Sequence, residues 1–140
     1  MKDVSKFVGK TRYSIDDLVE ILKILRSPEG CPWDREQDHK SIRRDFLEEC
    51  YEAIEAIDTD DTALLREELG DVLLQVVFHS EIECERGHFD FADVVSDMAE
   101  EMGGRRPHEF AGVQTERAEA GRRNGEEIKR EAKRRKPGRE

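Results

Sequence analysis

Cysteine is scarce in this 140-residue chain, and its three cysteines, Cys31, Cys50 and Cys84, follow no pairing pattern. An odd and irregularly spaced set argues against the disulfide framework that small secreted domains use. The start of the sequence shows no charged segment followed by an apolar one, so we expect a cytoplasmic protein with reduced thiols. Cys31 and His39 lack the two-plus-two ligand spacing of a structural zinc site, which is therefore not expected.

Long hydrophobic runs and strand-like alternation are also missing. No stretch of about 18 uncharged apolar residues occurs, so no transmembrane helix is expected. Apolar and polar residues do not alternate over the length of a strand, and no internal repeat is evident, so the fold is predicted to be all-α. Hydrophobic residues make up 36% of the chain, which supports one modest core. We expect a homodimer or a higher homo-oligomer, because a second copy would help to bury apolar helix surface.

Positive charge is scarce where negative charge is densest. Between Asp45 and Glu101, nineteen Asp and Glu residues accompany only two basic residues, Arg66 and Arg86. The net charge of −10 opposes nonspecific binding to nucleic acid or to an anionic membrane, and neither partner is expected. Carboxylates buried in this region would lack basic partners, so their burial calls for a bound cation.

The first two helices are predicted from their caps and apolar spacing. Ser14 is expected to cap the first helix, with Asp17 at the N3 position, and the helix should end near residue 27. Residues 30–34 are expected to form a loop. Ser41 is expected to cap a second helix that reaches about Ile57.

Two further helices complete the expected architecture. The third should begin at Asp61 or Thr62 and end near Arg86 and Gly87. The fourth should follow Asp90 and should be terminated by the pair 103–104 and by Pro107. Short connections favour a four-helix bundle in residues 1–112, followed by a charged extension, helical or disordered, in residues 113–140.

A polar stripe interrupts the third helix, which is otherwise apolar around most of its circumference and is therefore predicted to be buried. Glu68, Asp71, Gln75 and His79 follow one another at offsets of three, four and four, so they share one face. Burying the two carboxylates costs several kcal/mol each unless a cation or hydrogen-bond donors compensate them. A positive partner is therefore expected opposite Glu68 and Asp71.

The second helix offers a matching set of acids, Glu48, Glu49 and Glu52. Glu49 and Glu52 are three residues apart, so both carboxylates project from one face. Oxygen ligands of this kind suit Mg²⁺, with Mn²⁺ as an alternative, better than zinc. The other acids of the two helices fit a solvated or helix-end role better: Glu55, Glu81, Glu83 and Glu85.

Several further residues have both a functional and a structural interpretation. Gln75 is suited to hold a ligand or a water beside the metal, whereas a core or interface role is favoured for His79. Trp33 could stack on a nucleobase or anchor two helix ends. Arg105 and Arg106 could reach a polyphosphate or could be ordinary surface charge.

With these residues in view, the sequence resembles the MazG family of nucleoside triphosphate pyrophosphohydrolases. The likeness runs from about Leu25 to Phe110. Several separate strings in the right order carry it, which makes the resemblance specific. These strings are Gly30-Cys31-Pro32-Trp33-Asp34 with Glu36-Gln37, Glu48-Glu49-x-x-Glu52, Glu68-Leu69-Gly70-Asp71 with Gln75-Val76-Val77-Phe78, and Arg105-Arg106-Pro107-His108-x-Phe110.

The resemblance implies an all-α, usually dimeric and magnesium-dependent enzyme. It would cut a nucleoside triphosphate between the α and β phosphates, releasing a nucleoside monophosphate and pyrophosphate. The family roles transfer to Glu49, Glu52, Glu68 and Asp71 as metal ligands. Glu48 would be a further ligand or the base that positions the attacking water.

Three departures from the family pattern favour a second hypothesis. Gly125 replaces a tryptophan common in the family, and Gly103-Gly104 stands where many members continue a charged helix. Many relatives also carry two copies of the domain, of which one can be inactive. The alternative is a non-catalytic module that binds metal and nucleotide or regulates a partner. A di-iron bundle fits less well, because neither Glu52 nor Glu68 has a histidine three residues on.

Overall fold

The computed structural model describes residues 5–105, and every regular element among them is helical. The predicted all-α class is therefore confirmed. No helix in the described part combines the length and apolar character that crossing a membrane requires. The elements are a short 3-10 helix at Ser5–Phe7, α1 at Ile15–Arg26, α2 at Pro32–Glu36, α3 at His39–Asp58, α4 at Thr62–Glu85 and α5 at Phe91–Arg105.

Helix α1 begins as its sequence predicts. The Ser14 hydroxyl accepts a hydrogen bond from the Asp17 N–H at 3.1 Å, and the Asp17 carboxylate accepts one from the Ser14 N–H at 3.0 Å. This reciprocal pair satisfies two donors that the first turn would otherwise leave without partners. The helix ends at Arg26, close to the predicted residue 27.

The loop predicted for residues 30–34 is partly wrong, because Pro32–Glu36 forms the five-residue helix α2. Pro32 occupies the first helical position, where its fixed φ suits a helix and its missing N–H costs nothing. The predicted cap of α3 is also wrong. Asp38 is the N-cap and Ser41 is the N3 residue, and each side chain accepts a 2.8 Å hydrogen bond from the other's backbone N–H. Helix α3 therefore starts three residues earlier than expected and includes His39 in its first turn.

The ends of α4 agree with prediction. Asp61 caps its N-terminus by accepting a hydrogen bond from the Leu64 N–H at 3.0 Å. Gly87, directly after the C-cap residue Arg86, adopts a φ of 76°, which glycine tolerates without steric cost.

Helix α5 starts directly after Asp90, as predicted, but it does not stop at the glycine pair. It continues through Gly103 and Gly104 to Arg105. Glycine lowers helix stability by about 1 kcal/mol per residue without forbidding the helical backbone, unlike proline. Pro107, the predicted boundary at residue 112 and the extension 113–140 lie outside the described residues.

The core lies where α4 packs against α1 and α3. The chain divides into two compact units after Phe91, and this core belongs to the first. Because α4 contacts a helix on two sides, it supplies three of the five residues of the core cluster. The core cluster consists of Leu22 from α1, Ile42 from α3, and Val77, Phe78 and Ile82 from α4.

The prediction that α4 is buried all round holds only for its C-terminal half within this chain. From the N-terminus to the middle of the helix, Leu69 is 53% exposed, and Leu73 and Leu74 are exposed as well. On α3, Leu47 and Tyr51 also project into solvent, and Tyr51 is 64% exposed. The apolar circumference of α4 is thus wider than the surface that α1 and α3 cover.

Candidate metal centre

Three carboxylate groups converge where α3 and α4 face each other. Glu49 on α3 and Glu68 and Asp71 on α4 each place one oxygen so that the three oxygens lie within 4.8 Å of one another. The three-residue offset puts Glu68 and Asp71 on one side of α4, and Glu49 meets them from α3. Within residues 5–105, no other set of three or more Cys, His, Asp or Glu side chains meets this criterion for a metal site.

The cluster is at least half-buried and has no positively charged partner among residues 5–105. Glu68 is 6% exposed, and Glu49 and Asp71 are half-buried. The Oε2 atoms of Glu49 and Glu68 are buried and accept no hydrogen bond from any described residue. None of the ion pairs among the described residues involves these three acids. Since buried carboxylate oxygens without donors are costly, the site could bind a metal ion.

The pKa values of Glu68 and Glu49 reflect the lack of a positive charge beside them among the described residues. A hydrogen bond with Glu52, burial, and the charges of Glu52, Asp71 and Glu49 raise the pKa of Glu68 to about 7. Burial, followed by the charges of Asp71 and Glu52, raises the pKa of Glu49. Without a cation, the cluster therefore retains a proton on Glu68 near neutral pH.

The other two predicted acids of α3 lie at the edge of this cluster. Glu52 is exposed but shares a hydrogen bond with Glu68, so it borders the three-oxygen group. The Glu48 side chain points to solvent and pairs with Arg44 at 3.9 Å. In this conformation the structure brings Glu52 to the cluster but not Glu48.

The residues predicted to bind substrate do not form a cluster as close as that of the three carboxylates. Gln75 is half-buried one turn beyond Asp71, and its Oε1 atom is buried with no hydrogen-bond partner among the described residues. Trp33 lies on α2 and is 72% exposed. Arg106 and the side chain of Arg105 lie outside the described part of the chain.

A histidine network beyond Gln75 was missed by sequence reasoning. His39 Nδ1 lies 2.7 Å from His79 Nδ1, and the two rings are nearly parallel, with their planes 10° apart and their centroids 4.9 Å apart. His39 Nε2 contacts Glu83 Oε2, and His88 Nδ1 lies 2.6 Å from Glu83 Oε1. His79 is half-buried and partnered, in line with the favoured structural interpretation, but no spacing signal pointed to its partner 40 residues away.

The solvated or helix-end role expected for the remaining acids of α4 is wrong for Glu81. Glu81 is 6% exposed and pairs with Lys23 of α1 at 2.7 Å. Glu85, the last residue of α4, pairs with Arg26 of α1 through two contacts of 2.7 and 2.9 Å. The charge count over residues 45–101 could not include these partners, because both belong to α1.

The fold and the site together define a class of protein: an all-α domain in which acids from two adjacent helices could hold a metal ion. The profile of the MazG nucleotide pyrophosphohydrolase domain matches residues 37–110, a range that contains the whole carboxylate cluster. The chain belongs to the MazG family.

Named relatives agree with this assignment. The chain is 54% identical over 95 residues to the nucleoside triphosphate pyrophosphohydrolase/pyrophosphatase MazG of Thermotoga maritima, covering 68% of this chain and 37% of that protein. It is 43% identical over 118 residues to the nucleoside triphosphate pyrophosphohydrolase of Escherichia coli K12, covering 84% and 45%. It is 45% identical over 113 residues to the uncharacterized protein YabN of Bacillus subtilis, covering 81% and 23%. The chain thus spans less than half the length of these curated relatives.

Proposed function

We propose that this domain hydrolyses nucleoside triphosphates, ribo or deoxy, to a nucleoside monophosphate and pyrophosphate by attack of water at the α-phosphate. The observation that carries the proposal is the group of three carboxylate oxygens from Glu49, Glu68 and Asp71 within 4.8 Å. The printed names of the Thermotoga and Escherichia relatives support it, because both are nucleoside triphosphate pyrophosphohydrolases. A binding module of the same fold that lacks turnover is the alternative.

The proposed cofactor is Mg²⁺, with Mn²⁺ as a substitute. The donors fit this choice, because the cluster offers carboxylate oxygens and neither sulfur nor imidazole. Glu49, Glu68 and Asp71 would hold the ion, and Glu52 would join them because its carboxyl group already reaches Glu68. Bound magnesium would neutralise charge on the polyphosphate and lower the pKa of a water molecule at the site.

The protein's own groups then position the reactants. Glu68 gives up the proton of its hydrogen bond with Glu52 to become a ligand, and the Glu52 carboxylate beside it then faces the same ion. Glu48, adjacent to Glu49 on the exposed side of α3, completes the ligands or accepts a proton from the attacking water. Positioning and charge neutralisation carry most of the catalysis of phosphoryl transfer, so a covalent nucleophile is not needed.

Contacts are proposed both with the nucleobase of the substrate and with its phosphates. The exposed ring of Trp33 offers a face on which a nucleobase can stack, and the buried Oε1 of Gln75 accepts a hydrogen bond from substrate or water. Arg105 and Arg106 would bind phosphate oxygens through their guanidinium groups.

We further propose that a second copy of the chain covers the exposed apolar surface of α3 and α4. Leu47, Tyr51 and Ile54 lie on one side of α3, and Leu69 and Leu73 lie one turn apart on α4. Leucine, isoleucine and tyrosine in these numbers exceed the scattered apolar residues that a monomer normally exposes. A homodimer would remove both stripes from water.

The test is turnover of a panel of ribo- and deoxyribonucleoside triphosphates with magnesium, measured as pyrophosphate and monophosphate. Asp71→Asn should lower turnover by about 100- to 1000-fold, because the amide keeps the shape and loses the charge. Glu67→Gln, on the exposed side of α4, is the matched control and should keep full activity. Full activity in Asp71→Asn would overturn the proposed site. Binding of magnesium and nucleotide without pyrophosphate release by the wild type would select the non-catalytic alternative.

A further inference from the structure

Two histidines contact one carboxylate at the C-terminal end of α4, and a third histidine contacts one of those two. Glu83 receives His39 at one oxygen and His88 at the other, and Arg86 approaches it at 3.4 Å. His39 in turn touches His79 through Nδ1 atoms 2.7 Å apart. The four groups form a continuous hydrogen-bonded chain from the surface residue His88 to the Nε2 atom of His79.

The charge of Glu83 determines where the first proton lies. Hydrogen bonds from His88 and His39 lower the pKa of Glu83, so this carboxyl group is ionised near neutral pH. An ionised carboxylate only accepts hydrogen bonds. The Nε2 atom of His39 and the Nδ1 atom of His88 must therefore each carry a hydrogen.

The position of the next proton follows from the contact between the two rings. A 2.7 Å contact between two Nδ1 atoms holds a single hydrogen. When His39 is neutral, its proton is on Nε2 and its Nδ1 is bare, so the hydrogen belongs to Nδ1 of His79. The Nε2 atom of His79 is then a bare acceptor, and it is buried with no hydrogen-bond partner among the described residues.

We propose that His79 and His39 form a proton relay in which one added proton converts Nε2 of His79 from an acceptor into a donor. A proton from a hydronium ion bonds to Nε2 of His79, which leaves a water molecule, and the hydrogen on Nδ1 of His79 passes to Nδ1 of His39. His39 becomes an imidazolium ion that donates to both Glu83 and His79. His79 is neutral before and after the transfer, but its two nitrogens exchange roles.

The surroundings favour placing the positive charge on His39. Burial and the neighbouring His39 lower the pKa of His79, so charge on the inner ring is disfavoured. His39 has the Glu83 carboxylate at its other nitrogen, whereas the uncharged Phe46 ring lies beside His79, with the two ring centroids 5.5 Å apart.

The other charged groups nearby are already paired. From α1, Lys23 pairs with Glu81 and Arg26 with Glu85. Arg86 interacts with Asp38 as well as with Glu83. Glu83 is therefore the carboxylate that faces His39 from α4.

The relay ends on the same stripe of α4 as the proposed metal ligands. His79 lies two turns beyond Asp71, with Gln75 between them, so its Nε2 atom extends the row of buried polar atoms. This nitrogen takes a hydrogen-bond donor, such as a water molecule, when His39 is neutral, and an acceptor when His39 is charged. The relay itself is independent of turnover and of the proposed substrate.

The experiment is nitrogen NMR of the four histidine rings in the full chain, without added metal or nucleotide. Spectra are recorded from about pH 8 to about pH 5, the range in which histidines titrate. Above the transition, His79 should show a bare Nε2 and a protonated Nδ1. Below the transition, His79 should show a protonated Nε2 and a bare Nδ1. This reversal should coincide with the gain of charge by His39. A protonated Nε2 at high pH, or a cationic His79 at that transition, would overturn the relay.

Variants test the roles of His39 and Glu83 separately. His39→Gln should abolish the exchange of roles between the nitrogens of His79. Glu83→Gln should shift the transition to lower pH, because the charge that stabilises cationic His39 is gone. His88→Gln, which touches Glu83 but not His79, is the control and should keep the exchange. An unchanged midpoint in Glu83→Gln would overturn the proposed role of Glu83, and the wild-type spectra decide the relay even if a variant does not fold.

Discussion

Glu52 of α3 and Glu68 of α4 share a hydrogen bond although both are carboxylic acids. Such a bond needs a hydrogen on one of the two groups, and the bond with Glu52, together with burial, raises the pKa of Glu68 to about 7. In the metal-free domain, a proton thus occupies the place that we propose for a cation. Stability and metal binding are therefore expected to depend on the same side chain.

Substitution of Glu68 should stabilise the metal-free protein above neutral pH. Its pKa in the folded state, about 7, exceeds its ordinary value of 4.5, so the folded protein holds this proton more tightly than the unfolded chain. The resulting stabilisation is complete below about pH 4.5 and is lost as pH rises through about 7. Glu68→Gln, which stays neutral, should raise the melting temperature at pH 8 in the presence of a chelator. Glu67→Gln should not, and a lower melting temperature for Glu68→Gln would contradict the electrostatic account.

Magnesium should stabilise the folded domain. Binding to the folded state alone contributes about 2.7 kcal/mol when the ion is present at 100 times its dissociation constant. The melting temperature at pH 8 should therefore rise with magnesium concentration and return to its starting value when a chelator is added. Asp71→Asn should lose most of this rise, whereas Glu55→Gln, an exposed change on α3, should keep it. An equal rise in both variants would place the ion elsewhere.

Arg26 should be a main determinant of stability. Its guanidinium group is buried, makes two contacts with Glu85, and donates to the carbonyl oxygens of Asp34 and Gln37. Arg26→Ala should lower the free energy of unfolding by about 2 to 4 kcal/mol, because these acceptors lose their donor. Arg44→Ala, which removes an exposed pair, should change it by less than about 0.5 kcal/mol. Denaturant unfolding measures both, and equal effects would contradict this assignment.

Gly30 should not tolerate a side chain. A Cβ atom there would lie 2.2 Å from the Ile24 carbonyl oxygen and 2.5 Å from that of Leu25, so backbone would have to move. Gly30→Ala should cost about 1 to 3 kcal/mol in unfolding experiments. Gly70→Ala is the matched change, because a Cβ at that position of α4 meets nothing within 4 Å. It should stabilise the helix by up to about 1 kcal/mol, and the opposite ranking of the two variants would contradict the described turn.

The exposed apolar surface should determine the oligomeric state. Leu73→Asp should shift the protein from dimer to monomer in sedimentation experiments, because a carboxylate in an apolar interface is costly to desolvate. Val8→Asp changes an exposed apolar residue outside α3 and α4 and should leave the dimer intact. A monomeric wild type would overturn the proposed second copy.

Sequence reasoning was strongest where the relevant interactions are local. The Ser14 capping box and the common face of Glu68 and Asp71 follow from the helical repeat, and the structure confirms both. It was weaker at Asp38 and Ser41, because both residues suit the cap and only the hydrogen-bond pattern shows that Asp38 occupies it. A five-residue helix such as α2 carries too little periodicity to be distinguished from a loop.

The all-α class, most helix ends and the acids that could hold a metal follow from local sequence patterns, because backbone periodicity and side-chain chemistry are properties of neighbouring residues. Tertiary structure alone decided that Glu81 is buried against Lys23, that Leu69 is exposed, and that His39 meets His79. Each of these depends on which side of α4 is covered by α1 or α3. That choice is made by packing between residues distant in the chain, which no local pattern encodes.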